Sequence, residues 1–118
     1  MKLSEVKELL GAEILAGEDN LKTEITSAFA CDLMSDVLAF VEDKSLLLTG
    51  LINMQTIRTA EMMDIEAIVF VRGKKPNDEI LKLARENNMV ILTTKHILYT
   101  SCGILHSKGL RGANIMHK

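Results

Sequence analysis

Residues 64–94 read DIEAIVFVRGKKPNDEILKLARENNMVILTT, and the spacing of their apolar positions changes twice along the segment. Residues 65–71 are almost continuously apolar and are closed by Arg72 and Gly73. After Pro76, the only proline, comes a helical stretch that stops at Asn87 and Asn88. A second apolar run of Met, Val, Ile and Leu then ends in Thr93 and Thr94. Two strands without polar alternation, joined by a helix, have the pattern of parallel strands covered on both faces. The segment reads as a βαβ unit.

Upstream, Leu3, Val6, Leu9 and Leu10 fall on one helical face, with Ser4 as the expected N-cap and Gly11 as the stop. Residues 12–16 read as a short strand, 17–20 as a turn and 25–31 as another extended segment. Asp32 is placed to cap a helix whose Met34, Val37, Leu38 and Val41 share one face, opposite Ser35, Asp36 and Glu42. Residues 46–49 read as a buried strand ended by Gly50, and Asn53 as the cap of a helix over 54–63. A last helix is expected over 95–107, with Ile97, Leu98, Ile104 and Leu105 covering the sheet. The terminal GLRGANIMHK has weak periodicity, as a frayed or contact-making tail would. Strict strand–helix alternation from Leu46 onward, with right-handed crossovers, implies an α/β fold, a three-layer α/β/α sandwich around a mostly parallel sheet.

Composition narrows the function classes. With 118 residues, 47% of them hydrophobic, the whole chain 1–118 is expected to form one domain with a real core. A net charge of −2 leaves no basic field for nucleic acid or an anionic membrane. Three Phe, one Tyr and no Trp supply no base-stacking platform. The N-terminus does not read as a signal peptide and no apolar run reaches membrane-spanning length, so the expected location is the cytoplasm. Cys31 and Cys102 lack the CxxC and zinc-type spacings and are expected as reduced, partly buried thiols.

One family matches these residues over about 11–104. Asp32, Leu33, Met34 and Ser35 give an Asp-Leu-Met-Ser helix start after GAEILAGEDNLKTEITSAFAC, and LLLTG, a helix and the βαβ segment follow in order. The chain resembles the DRTGG domain family. Leu51 and Ile52 stand where the family has Asp-Arg, Val71, Arg72 and Gly73 where it has Thr-Gly-Gly, and His96, Ile97 and Leu98 where many members have Tyr-Asp-Thr. The resemblance implies a regulatory module and not a catalyst. Such domains are fused to phosphotransacetylases and to CBS-containing pyrophosphatases, are similar to the N-terminal domain of HPr kinase/phosphorylase, and are typically dimerising, ligand-sensing units. The phosphate-binding loop G-x-x-x-x-G-K-Ser/Thr by which HPr kinase works is not in this sequence.

In open parallel sheets, ligands sit outside the carboxyl ends of the strands. The loops that would gather there are Thr49 and Gly50 with Asn53 and Thr56; Arg72, Gly73, Lys74 and Lys75; and Thr93, Thr94 and Lys95 with His96, Thr100 and Ser101. Helix 54–63 opens without an acidic residue, whereas the helix after Pro76 opens with Asp78 and Glu79, which offset its dipole or pair with Lys74 or Lys75. Thr49, Gly50, Asn53, Arg72, Gly73, Lys74, Thr93, Thr94 and Lys95 are accordingly the expected ligand-binding set. It suits a nucleotide or another phosphorylated metabolite. The plainer alternative is that strand-end loops are exposed and therefore polar. Cys102 and His106, one helical turn apart with His96 nearby, fall short of a metal set, and no catalytic group, metal or cofactor is assigned. The expected protein is a noncatalytic homodimer that senses a ligand and acts on a partner enzyme; the alternatives are an adaptor without a small-molecule ligand or a small phosphoryl-transfer enzyme.

Overall fold

A computed structural model describes residues 1–40 and 44–113, the side chain of Phe40 excepted. Its elements are α1 (Leu3–Leu10), β1 (Glu13–Ala16), a 3-10 turn (Glu18–Asn20), β2 (Ser27–Ala30), α2 (Met34–Phe40), β3 (Ser45–Thr49), α3 (Met54–Met62), β4 (Ala67–Phe70), α4 (Asp78–Glu86), β5 (Val90–Thr93) and α5 (Leu98–Ser107). The strands form one sheet in the order β1-β5-β4-β3-β2. β2, β3, β4 and β5 run parallel, and β1 joins antiparallel to β5. The expected fold class holds.

The continuous apolar runs divide by alternation between two cores. Leu46, Leu48, Val69 and Leu92 face one side with Leu3, Val6 and Leu10 of α1 and Leu105 of α5. Leu47, Ile68, Phe70 and Ile91 face the other with Met34 and Val37 of α2, Ile57 of α3 and Ile80 of α4. From β2 to β5 every step moves one position in the same direction, so crossovers of one hand place α2, α3 and α4 on a single face. The terminal helices α1 and α5 cover the face those crossovers leave bare.

Local signals were realised with some exchanges. Gly11 is left-handed at φ 56 and ends α1, and Asn53 caps α3 through Thr56 N–H at 2.9 Å. Ser4, the expected first cap, lies inside α1; the Lys2 N–H is instead taken by Glu5 Oε1 at 3.0 Å. Leu38 and Ile97, both expected to pack, are 39% and 54% exposed: among the described side chains of α2 only Met34 and Val37 are buried, and α5 begins at Leu98 rather than Lys95. Val41 and Glu42 lie outside the described residues. The tail is better tied than its sequence suggests: Leu110 is buried, Ala28 N–H donates to Arg111 O and Ala113 N–H to Ala28 O. It thereby occupies the outer edge of β2, an exposed pairing surface that edge strands otherwise leave open. Residues 114–118 lie outside the described chain. No described helix is long and apolar enough to cross a membrane.

Candidate functional site

The loop after β4 is the most constrained of the strand ends. Arg72 and Gly73 are both left-handed, at φ 62 and 68. Their N–H groups donate to His96 O at 2.8 Å and Thr94 O at 2.7 Å, which fastens the turn to the segment leaving β5. Thr93 Oγ1 donates to Lys74 O at 2.6 Å and holds its far side. Left-handed backbone disfavours any side chain by about 1–2 kcal/mol, so a glycine fits this position best. Arg72 occupies it nevertheless.

Gly50, at the end of β3, is bracketed by charge. Its N–H donates to Asp32 Oδ1 at 2.7 Å, and its carbonyl accepts from Lys74 Nζ at 3.0 Å. Thr49 Oγ1 donates to the same Asp32 oxygen at 2.9 Å while accepting from Leu51 N–H at 3.1 Å, so the direction of the hydroxyl proton is set. A Cβ placed on Gly50 would lie 3.5 Å from Arg72 Nη2 and 3.7 Å from each carboxylate oxygen of Asp32. Guanidinium and carboxylate thus flank one point without closing into an ion pair. Among the described residues Arg72 makes no side-chain hydrogen bond, and its Nη2 lies over Gly50. The Gly50 N–H, ahead of the Thr49 hydroxyl and the Lys74 and Arg72 charges, holds the Asp32 carboxyl below its ordinary range against the opposing effect of partial burial. Sequence reasoning placed Asp32 as a helix cap. Its carboxylate instead serves the neighbouring strand, because the parallel register of β2 on β3 sets residue 32 beside Gly50.

The other expected residues sit close by in different roles. Gly73, Thr93, Thr94 and Lys95 line a cleft of about 170 Å³ with Gly11, Glu13 and Lys75. Thr94 Oγ1 is committed to Leu10 O at 2.8 Å, and Lys75 pairs with Glu13 at 3.1 Å rather than with Asp78 or Glu79. Asn53 spends its side-chain oxygen on Thr56. Ser101 Oγ is turned inward to Ile97 O. Gly50, Arg72 and Lys74 are brought together, and Gly73, Thr93, Thr94 and Lys95 form an adjoining group.

Elsewhere the chemistry is subdued. Burial pushes both the Cys31 and Cys102 thiols up, away from the thiolate form. Cys102 and His106 line a small apolar pocket of about 110 Å³ beneath the tail, and among the described residues no three His, Cys, Asp or Glu side chains gather as a metal would need.

The family model of the DRTGG domain matches residues 5–107. The chain belongs to the DRTGG domain family. No curated protein matches the sequence significantly. Among solved structures it is similar to the CBS and DRTGG domains of the regulatory region of Clostridium perfringens pyrophosphatase, complexed with its activator diadenosine tetraphosphate, at a TM-score of 0.74 and 18% identity. The match covers 88% of this chain but 45% of that one, so this DRTGG domain spans less than half of the length it matches. At that identity the likeness establishes the fold.

Proposed function

We propose that this DRTGG domain is a noncatalytic regulatory module that binds a nucleotide or other phosphorylated metabolite at the C-terminal ends of β3, β4 and β5. One observation carries the reading. Arg72 is kept in a left-handed conformation that costs free energy, with a guanidinium that has no partner among the described residues and lies over Gly50, whose carbonyl Lys74 also reaches. Strained residues of this kind cluster at ligand sites, and a guanidinium matches phosphate bidentately. Gly50 and Lys74 complete the nearest group, and Gly73, Thr93, Thr94 and Lys95 extend it. Support from the family side is that the similar pyrophosphatase regulatory region was crystallised with an activator that is itself a dinucleotide polyphosphate. A homodimer acting on a partner enzyme in the cytoplasm completes the proposal.

The test is a thermal-shift panel of adenine nucleotides and anionic metabolites on the whole chain, with light scattering for the dimer. At least one nucleotide raises the melting temperature, and Arg72→Ala removes that shift, since one charge-assisted contact contributes about 1.5–3 kcal/mol. A panel with no shift rejects the ligand site. It would favour the adaptor reading, which draws on Tyr99, 85% exposed, and Ile97 at the start of α5. Turnover of a phosphorylated substrate would reject the noncatalytic reading.

A further inference from the structure

The loop after β4 sends alternate residues to two places. Arg72 and Lys74 reach Gly50, whereas Gly73 and Lys75 line the cleft of about 170 Å³ together with Gly11, Glu13 and Lys95. The walls of that cleft are tied to one another by the fold itself. Thr94 Oγ1 donates to Leu10 O at 2.8 Å and joins the end of α1 to the end of β5. Gly73 N–H donates to Thr94 O at 2.7 Å and Thr93 Oγ1 to Lys74 O at 2.6 Å, which join the loop to the same strand. Glu13 stands opposite Thr93 where β1 pairs with β5. The space is therefore preformed. A Cβ on Gly11 or Gly73 would meet nothing within 4 Å, so a ligand group can approach the backbone closely at both.

The charge lining this space is unbalanced. Lys75 Nζ meets Glu13 Oε1 at 3.1 Å, while Lys95 has no partner among the described residues, so two ammonium groups share one carboxylate. The Lys75–Glu13 link is easily exchanged: its side chains are 57% and 58% exposed, and ion pairs in water contribute little. A phosphate group brings a charge of about −1.5 to −2 at pH 7 and three acceptor oxygens, enough to answer both lysines. The volume is below the about 300–1,000 Å³ of pockets that enclose a whole drug-sized ligand, and so suits one group of a ligand. We propose that the cleft is a phosphate subsite with Glu13 as its internal counter-ion, which leaves Lys75 when a phosphate bridges Lys75 and Lys95. This deepens the proposed function and rests on it, since Gly73, Thr93, Thr94 and Lys95 are the outer part of the same rim. Glu13 then acts against binding, and its removal strengthens what the loss of a lysine weakens.

The test is a titration of the whole chain with inorganic phosphate at constant ionic strength, read from the amide NMR signals of Gly11 and Gly73. Both signals are expected to shift saturably. Glu13→Gln should bind phosphate at least about threefold tighter, because a like charge has left the cleft. Lys95→Ala should bind it at least about tenfold more weakly. Both positions are exposed, and melting temperatures check that the variants keep the fold. Glu86→Gln, an exposed carboxylate at the far end of α4, should leave the affinity unchanged, which separates a local carboxylate from net charge. The absence of a saturable shift at Gly11 and Gly73 overturns the inference. So does an affinity unmoved by Glu13→Gln or Lys95→Ala, or one raised equally by Glu86→Gln. In each of these cases a nucleotide-induced melting shift that is lost in Arg72→Ala keeps the proposed function standing, and without such a shift both fall.

Discussion

At the N-terminal ends of the parallel strands the chain leaves α3 through Asp64 and α4 through Asn88, both left-handed at φ 55 and 57; at the C-terminal ends it leaves β4 through Arg72, at φ 62. The backbone angle is the same and its cause is not. Asp64 and Asn88 end helices: Ile65 N–H reaches back to Ala60 O and Met89 N–H to Ala84 O, which satisfies carbonyls the helices would otherwise leave open. Arg72 follows a strand and has no helix to terminate. The N-terminal end also holds a larger cleft, about 440 Å³, but Glu61, Asp64 and Glu66 line it with one lysine, Lys44. Size therefore points to one end of the sheet and charge to the other. For a phosphorylated ligand charge decides, because carboxylates in that cleft repel what Arg72 and Lys74 attract.

The largest expected effect breaks the N-terminal end. A Cβ on Gly17, which is left-handed at φ 83, would meet Met89 O at 2.7 Å and Val90 Cα at 2.8 Å, both backbone atoms that cannot step aside. Gly17→Ala is expected to lower stability by about 2–4 kcal/mol in urea titration, with nucleotide response intact in the folded fraction. A Cβ on Gly50 would meet Arg72 and Asp32 atoms only at 3.5 and 3.7 Å, so Gly50→Ala is expected to leave stability nearly unchanged by comparison.

The next effects set Arg72 against Asn88. Both Arg72→Gly and Asn88→Gly relieve left-handed backbone and should change stability by no more than about 1 kcal/mol in the favourable direction, partly offset by the freer unfolded chain. Only Arg72→Gly should abolish a nucleotide-induced melting shift. Equal loss in both would mean that the strain at Arg72 has no functional counterpart. Asn53→Ala, which removes the α3 cap, is expected to cost about 1 kcal/mol. A nucleotide shift that survives it would remove Asn53 from the ligand set and leave it a capping residue.

The smallest effect is on pH dependence. The folded Asp32 carboxyl titrates below its unfolded value, so near that unfolded value the unfolded chain binds more protons and stability rises with pH. The contribution is complete above the ordinary aspartate range near 4 and is lost as pH falls through the depressed folded value. Asp32→Asn should flatten this part of an acid-denaturation profile, and only slightly, because the side chain is exposed. An unchanged profile would mean that Gly50 N–H and Thr49 do not favour the charged form.

What could be read beforehand follows the range of the interactions. The β4–α4–β5 unit was legible because its continuous apolar runs and Asn88 act within a few residues of themselves, as do Asn53 at the start of α3 and Gly11 at the end of α1. β1 was legible as a strand but not as an antiparallel neighbour of β5, and the tail was not legible as a cover for β2, since both pairings span most of the chain. Gly50, Arg72 and Lys74 were found as a group because strand-end loops converge in any parallel sheet. Asp32 was missed as their partner. Its position before a helix gave a sufficient local reason for an aspartate, and only the register of β2 on β3 turns its carboxylate to Gly50 N–H. Likewise Thr94 looked like part of a polar rim, and its hydroxyl proves to tie the end of β5 to the end of α1.

By itself, the sequence determined the fold class and the family, since burial pattern, caps and turn glycines are short-range and each agrees with the others. It also determined that cations gather at one sheet edge. The tertiary structure decided what those cations face. Arg72 is strained because Thr94 and His96 hold its turn, and Asp32 is an oriented acceptor because Thr49 and Gly50 hold its oxygen. Neither condition exists until strands distant in sequence are paired, and it is these pairings, not the residue types, that bring opposite charges to one glycine.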